Sequence, residues 1–342
     1  MTIRIGFLGA GFISAMHTWQ LSKATVDHKI VAVSDPDAAR ATTMAEAHDA
    51  VACPEDELLD MVDAVFITSW TVAHEDLVNK AAAKGVAIFC EKPLAFDAAA
   101  ATRMVETVEK AAVINQVGLV LRTSPAFAVV RQLIADPRAG RTLAVVFRDD
   151  QFIPNQGHYG SQWRMHKSLA GRGTLLEHSI HDVDYLQWML GPVIAVSATT
   201  REHHGYDRID DLTAARLEFE SGAIVQLTSI WHDIVERGSL RHVEVFSDNL
   251  YVKLEGDRTG PVRWQFTGEQ EQSVDRKATV HFLNDIDALP ASLEQNFLEA
   301  VRDATPASPT FREAIAAHQI VDALYESADN NGNTVTDAYR TR

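Results

Sequence analysis

"IRIGFLGAGFIS", residues 3–14, reads as a strand, a glycine turn and the start of a helix. Gly9-Ala10-Gly11-Phe12-Ile13-Ser14 follows an apolar run and opens a helix-like segment, the setting a dinucleotide fingerprint requires. The first glycine permits the tight turn, and the second lets a pyrophosphate approach the backbone. The helix N-terminus adds free N–H groups and the positive end of its dipole. Ser14 holds the third position, where glycine or alanine is usual, and is small enough for a close helix–strand contact. Behind "MTIR" the same stretch has the outline of a leader peptide. It contains a Gly-x-Gly and no convincing cleavage site, so the strand reading is preferred.

Outward from this turn, strand-like runs recur at 3–9, 29–35, 63–69, 85–91 and 114–121, separated by helix-like stretches. Near-continuous apolar strands alternating with helices predict a doubly wound parallel sheet covered on both faces. The second strand ends in Asp35, which can accept both ribose hydroxyls and repel a 2′-phosphate; alternatively Asp35-Pro36-Asp37 is only a turn. Glycine turn and acidic strand end together favour NAD, while Arg40 nearby leaves room for NADP.

The texture changes after residue 123. A helix over 124–135, a strand over 141–150, a long glycine-containing loop and a helix over 174–190 lead into closely spaced strand-like runs between 193 and 267. That spacing predicts a largely antiparallel open sheet in an α+β domain, closed by helices near 291–303 and 309–327. The expected division is a Rossmann domain over 1–122 and a substrate-binding, oligomerising domain over 123–342, with 329–342 a turn and a loose end. A sheet with few covering helices leaves one apolar face to bury, which predicts a homodimer or homotetramer.

The whole chain carries a formal charge of −16, which argues against nucleic-acid and anionic-membrane partners because phosphates would be repelled. Only Cys53 and Cys90 are present, too few for a disulfide framework or a cysteine-rich metal site, and a cytoplasmic setting fits. No run approaches the ~18 apolar residues of a membrane span.

"CEKPLAFD", residues 90–97, ends the fifth strand-like run on the same sheet edge as the glycine turn. Lys92 is either a solvated strand-end lysine or a group presented to ligand beside the nicotinamide, with Pro93 directing the chain and Glu91 anchoring the turn. Downstream, Glu177 and His181 are four apart, so one helix would place both on one face, with Asp184 a turn further on in a structural role. A carboxylate beside an imidazole suits a general base. Equally, Thr174 and Glu177 fit a capping box, and His181 fits a hydrogen-bonded core histidine. His178, His181, Asp182 and Asp184 match no zinc spacing, so no metal is expected. In the long loop, His158, Tyr159, Trp163 and Arg164 suit a hydroxyl-rich ring or serve as packing, and Arg172 meets an acidic group or solvent.

These marks resemble the glucose–fructose oxidoreductase/inositol dehydrogenase/MocA-type dehydrogenases over nearly the whole chain. They are "GFLGAGFIS" with Asp35, "AVFITSWTVAH" to His74, "EKP" at 91–93, "VGLVLR" at 117–122 and "WRMHKSLAGRGTLLEHSIHDVDYLQWMLG" at 163–191. The resemblance implies cofactor contacts from Gly9, Gly11, Phe12, Ile13, Asp35, Ser69, Trp70, His74, Glu91 and Lys92. It implies a catalytic set of Lys92, Glu177 and His181, with Arg122 joining the loop residues around the substrate. The expected activity is NAD-dependent oxidation of a secondary hydroxyl on a sugar, polyol or inositol-like compound. An NAD-retaining glycoside hydrolase or lyase, and a noncatalytic nucleotide sensor, are the alternatives.

Overall fold

The structure is a computed structural model describing residues 2–336, and it divides into two compact units. The first comprises Met1–Leu119, Ser168–Ala170 and Ala291–Ile315; the second comprises Val120–Lys167, Gly171–Pro290 and Ala316–Arg342. A single boundary at 122 therefore misses a return of the chain to the first unit. The last six residues of the expected loose end lie outside the described residues.

In the first unit, β1 (Ile3–Leu8), β2 (His28–Ser34), β3 (Val51–Ala52), β4 (Ala64–Ile67), β5 (Ala87–Cys90) and β6 (Asn115–Val117) form a sheet ordered β3-β2-β1-β4-β5-β6. All its pairings are parallel. β4 and β5 are buried throughout, which is why their sequences read as unbroken apolar runs. The connecting helices are α1 (Phe12–Leu21), α2 (Ala38–Ala47), α3 (Glu55–Met61), α4 (His74–Ala83) and α5 (Ala98–Lys110). Asp37 and Asp97 cap α2 and α5 by accepting backbone N–H bonds. Strand order reverses between β1 and β4, the switch point at whose carboxyl end such sheets bind ligand.

The second unit begins with α6 (Pro125–Ala135) and β7 (Thr142–Phe152); the short α7 (Lys167–Ala170) falls almost wholly in the first unit, and α8 (Thr174–Glu177) and α9 (Ile180–Leu190) resume the second. Then come β8 (Val193–Arg201), β9 (Leu212–Phe219), β10 (Ile224–His232), β11 (Leu240–Ser247), β12 (Leu250–Gly256), β13 (Val262–Phe266) and β14 (Gln272–Val274), and α10 (Arg276–Asp285). The nine-stranded sheet is ordered β14-β13-β12-β11-β7-β10-β9-β8-β15, its last strand being β15 (Val335–Thr336). All pairings are antiparallel except β7 with β10.

The buried face of this sheet is built in rows. Leu217, Val225, Val145, Val245 and Val252 sit side by side across β9, β10, β7, β11 and β12. The next row is Ala215, Leu227, Phe147, Val243 and Leu254, and both rows are buried. One row further the chemistry changes. Thr213, Ser229, Asp149 and Arg241 stand opposite one another, all buried.

After α10 the chain returns to the first unit as α11 (Leu293–Asp303) and the first residues of α12 (Phe311–Asp329). Ser292 caps α11. Phe297 packs edge-on to Phe66 and Phe89, and Phe311 joins the buried core of the sheet.

Candidate active site

In the first unit the glycine turn has the geometry its sequence requires. Gly9 has φ +112°, and a Cβ there would lie 2.7 Å from the Thr68 carbonyl carbon, so no other residue fits. The buried Ser14 hydroxyl donates to the Gly9 carbonyl at 2.8 Å, as does Thr68. Serine at the third fingerprint position thus ties the helix back to the turn. Gly11 precedes α1 without a side-chain cap, and Phe12 is exposed while Ile13 is half-buried. Asp35 accepts the Ala10 amide at 2.7 Å and the Asp37 amide at 2.8 Å, so its carboxylate holds the turn. Two backbone bonds leave a carboxylate further lone pairs for ribose hydroxyls. Arg40 is paired with Asp37 at 3.3 Å. An open helix start beside an acidic strand end fits an NAD pyrophosphate and ribose.

Five more of the expected residues, Ser69, Trp70, His74, Glu91 and Lys92, lie along the same carboxyl edge. His74, buried at the start of α4, stands with Nδ1 3.0 Å from the Pro93 carbonyl and Nε2 3.2 Å from that of Ser69. It thereby staples the exposed Trp70 turn to the turn after β5. There Lys92 is half-buried, and its amide donates to Glu91 Oε2 at 3.1 Å. The Glu91 carboxylate faces inward, its Oε1 2.9 Å from His17 Nε2.

In the second unit the expected helix over 174–190 is broken. α8 ends at Glu177, and α9 starts at Ile180 after a non-helical His178. Glu177 and His181 are both buried but do not share one helical face. The break has a cause in the polar row beneath it. Ser179 Oγ donates to Ser229 Oγ at 2.6 Å, and His178 Nε2 is 2.9 Å from Asp149 Oδ2. The capping box is also absent. The Thr174 hydroxyl is engaged with Ser229 at 2.8 Å. Asp210 accepts the Gly173 and Leu175 amides instead, with Tyr325 Oη donating to it at 2.8 Å. Burial pushes the Asp210 carboxyl up, while these hydrogen bonds pull it back.

Glu177 pairs with Arg164, whose Nε donates to its Oε2 at 3.1 Å. Arg164 also donates to Ser161 Oγ and lies over the Trp163 ring, 4.5 Å from its centroid. His158 and Tyr159 pack on each other and on Phe152 in the same loop. Arg122 is buried in a two-pronged pairing with Asp184, at 2.9 and 2.6 Å. That pairing gives Asp184 a structural partner.

The charges gathered under α9 come from separate stretches of the chain and leave no joint mark in the sequence. Arg241 donates to Asp182 at 2.7 Å and to Asp149 at 3.2 Å, and pairs with Asp257. The neighbouring Asp149 carboxylate disfavours a second negative charge at Asp182. Burial, against the pull of Arg241, raises Asp182 from 3.8 to about 8. Asp149 sits inside an apolar strand where alternation alone marks it as inward-facing. Its partners on β11 and α9 have no sequence signal. Among the described residues no group of three or more His, Cys, Asp or Glu side chains could hold a metal ion.

Residues 3–119 match the family description "Oxidoreductase family, NAD-binding Rossmann fold", and residues 127–250 match "GFO/IDH/MocA C-terminal domain". The chain belongs to the GFO/IDH/MocA family. Within that family it is 27% identical to inositol 2-dehydrogenase 3 of Saccharopolyspora erythraea, over 100% of this chain and 97% of that one. It is 28% identical to inositol 2-dehydrogenase of Agrobacterium fabrum, over 98% and 96%. The WlbA dehydrogenase from Bordetella pertussis, solved with NADH and UDP-GlcNAcA, superposes with a TM-score of 0.86 at 20% identity, over 98% of this chain and 97% of that one. That last likeness is one of fold.

Proposed function

We propose that this member of the family is an NAD-dependent dehydrogenase that oxidises a secondary hydroxyl of a sugar, polyol or inositol-like compound. The observation that carries the reading is the end-to-end similarity to inositol 2-dehydrogenases, in a chain whose glycine turn is pinned by Asp35. NAD, when bound, supplies the hydride acceptor. The chain's own residues bind, orient and move the proton. Lys92 hydrogen-bonds the reacting oxygen and stabilises its developing charge, and the His181 imidazole takes the hydroxyl proton. Glu177, steadied by Arg164, accepts from neighbouring hydroxyls, and Trp163 offers an apolar ring face to the carbohydrate. His158 and Tyr159 complete the substrate loop. Arg122 acts through Asp184 on α9, rather than as a free cation at the substrate.

The test is a panel of sugars, polyols and sugar acids with NAD and NADP, read as NADH or NADPH formation. Net NADH from at least one polyol, with NAD preferred, is the expected result. Asp35→Ser narrows the preference, because it removes the charge that repels a 2′-phosphate. Glycoside cleavage without net NADH would instead reveal an NAD-retaining hydrolase or lyase, and cofactor binding without any turnover would reveal a sensor.

The outward face of the nine-stranded sheet supports self-association. Ile224, Ala144, Phe246 and Tyr251 stand side by side on it across four strands, with Ile224 and Phe246 exposed. Covering such a row favours a homodimer or homotetramer over a monomer. Light scattering at micromolar concentration is expected to give two or four times 37.7 kDa, and a monomer would overturn this part of the proposal. A cytoplasmic setting suits the two free cysteines, and no described helix is long and apolar enough to cross a membrane.

A further inference from the structure

His17 lies on α1, one turn beyond the glycine fingerprint, and is 5% exposed. A carboxylate stands at each of its ring nitrogens. Nε2 is 2.9 Å from Glu91 Oε1, and Nδ1 is 2.8 Å from Glu294 Oε1. Carboxylates only accept, so both nitrogens must donate and the ring is an imidazolium. Phe66 and Phe89 pack on it at 5.5 and 4.9 Å between ring centroids. Room for the Glu91 carboxylate is kept by Gly118, where a Cβ would meet Glu91 Oε1 at 2.6 Å. Glu294 comes from α11, in the returning segment.

We propose that His17, bridging Glu91 and Glu294 as a cation, is a positioning residue that fixes the turn carrying Lys92. The inference rests on the role given to Lys92 above. Its path is short: His17 orients Glu91, and the second oxygen of Glu91 holds the Lys92 amide. The charged groups facing His17 are Glu91 from the turn and Glu294 from α11; β4 and β5 present the rings of Phe66 and Phe89. Lys92 adds its charge beside Glu91, while burial and the Glu91 carboxylate push the neighbouring Cys90 thiol up and keep it neutral.

Burial lowers the affinity of His17 for its proton, but the hydrogen bonds and charges of Glu294 and Glu91 outweigh it and raise the group from 6.5 to about 9. A raised folded-state pKa means that the bridge is complete below 6.5 and is lost as pH rises through about 9. Deprotonation leaves one ring lone pair facing a carboxylate, and the Lys92 turn loosens.

The test combines ring-nitrogen NMR of the cofactor-free, histidine-labelled protein with pH profiles of kcat/KM. His17 should titrate well above an ordinary histidine. Glu294→Gln keeps an acceptor at Nδ1 but removes a charge. It should lower both the NMR midpoint and the alkaline limb of kcat/KM by at least about one pH unit. A residue that only packs would not move the limb. His17 titrating near 6.5 in the unmodified protein overturns the proposal. So does an unmoved limb in Glu294→Gln, when Lys92→Met has cut turnover. Normal turnover in Lys92→Met removes the role of Lys92 and this inference together.

Discussion

His181→Asn is expected to lower turnover by ~10²- to 10⁴-fold, or about 3–5 kcal/mol of transition-state stabilisation. Asparagine keeps similar size and polarity at this buried position but cannot take a proton near neutral pH. NAD affinity should hold, because His181 belongs to the second unit and the glycine turn to the first. The measurement is kcat together with NAD binding by fluorescence. Near-normal turnover would show that α9 does not supply the base. Glu177→Gln distinguishes a further point. With no capping box to lose, its effect reports on the Arg164 pairing and substrate contacts rather than on the helix start.

The second large effect concerns stability. Arg241→Leu removes the cation from the polar row and leaves Asp149 and Asp182 buried with fewer donors. Breaking a buried pair from one side typically costs about 3–5 kcal/mol. The loss should depend on pH. Asp182 titrates at about 8 in the folded protein, against 3.8 for the unfolded reference, so the folded state binds the extra proton between those values. Stability therefore falls as pH rises through that window, and losing Arg241 deepens the fall. Urea unfolding at pH 5 and pH 8 should show a larger loss at the higher pH. An equal loss below about 1 kcal/mol at both would mean that the row is not held by charge.

The parallel sheet was legible because its strands are buried on both faces, so β4 and β5 announce themselves as apolar runs. The glycine turn was legible because backbone geometry there admits so few residues. Strand β3 was not, having only two residues, both exposed. The stretch 174–190 reads as one unbroken helix because "TLLEHSIHDVDYLQWML" carries no glycine or proline. What breaks it is tertiary: Ser179 and His178 are claimed by Ser229 and Asp149, two strands that lie far along or back in the chain. The same limit hid His17. Its helix position was visible, but the carboxylates that make it a cation arrive from residues 91 and 294.

The return of residues 291–315 makes the nucleotide-binding unit discontinuous, and that has a consequence for how the protein is made. A ribosome that has released Leu119 has delivered all six strands of the sheet, but not Glu294, Phe297 or Phe311. Phe66 and Phe89 then lack the ring that packs edge-on against them, and His17 has one carboxylate where the finished protein gives it two. The unit begun first is thus completed only after most of the second has been made. An amino-terminal fragment cut at the end of the sheet, however tidy on a gene map, is an unfinished object with exposed aromatic surface, and only synthesis through the returning segment seals it.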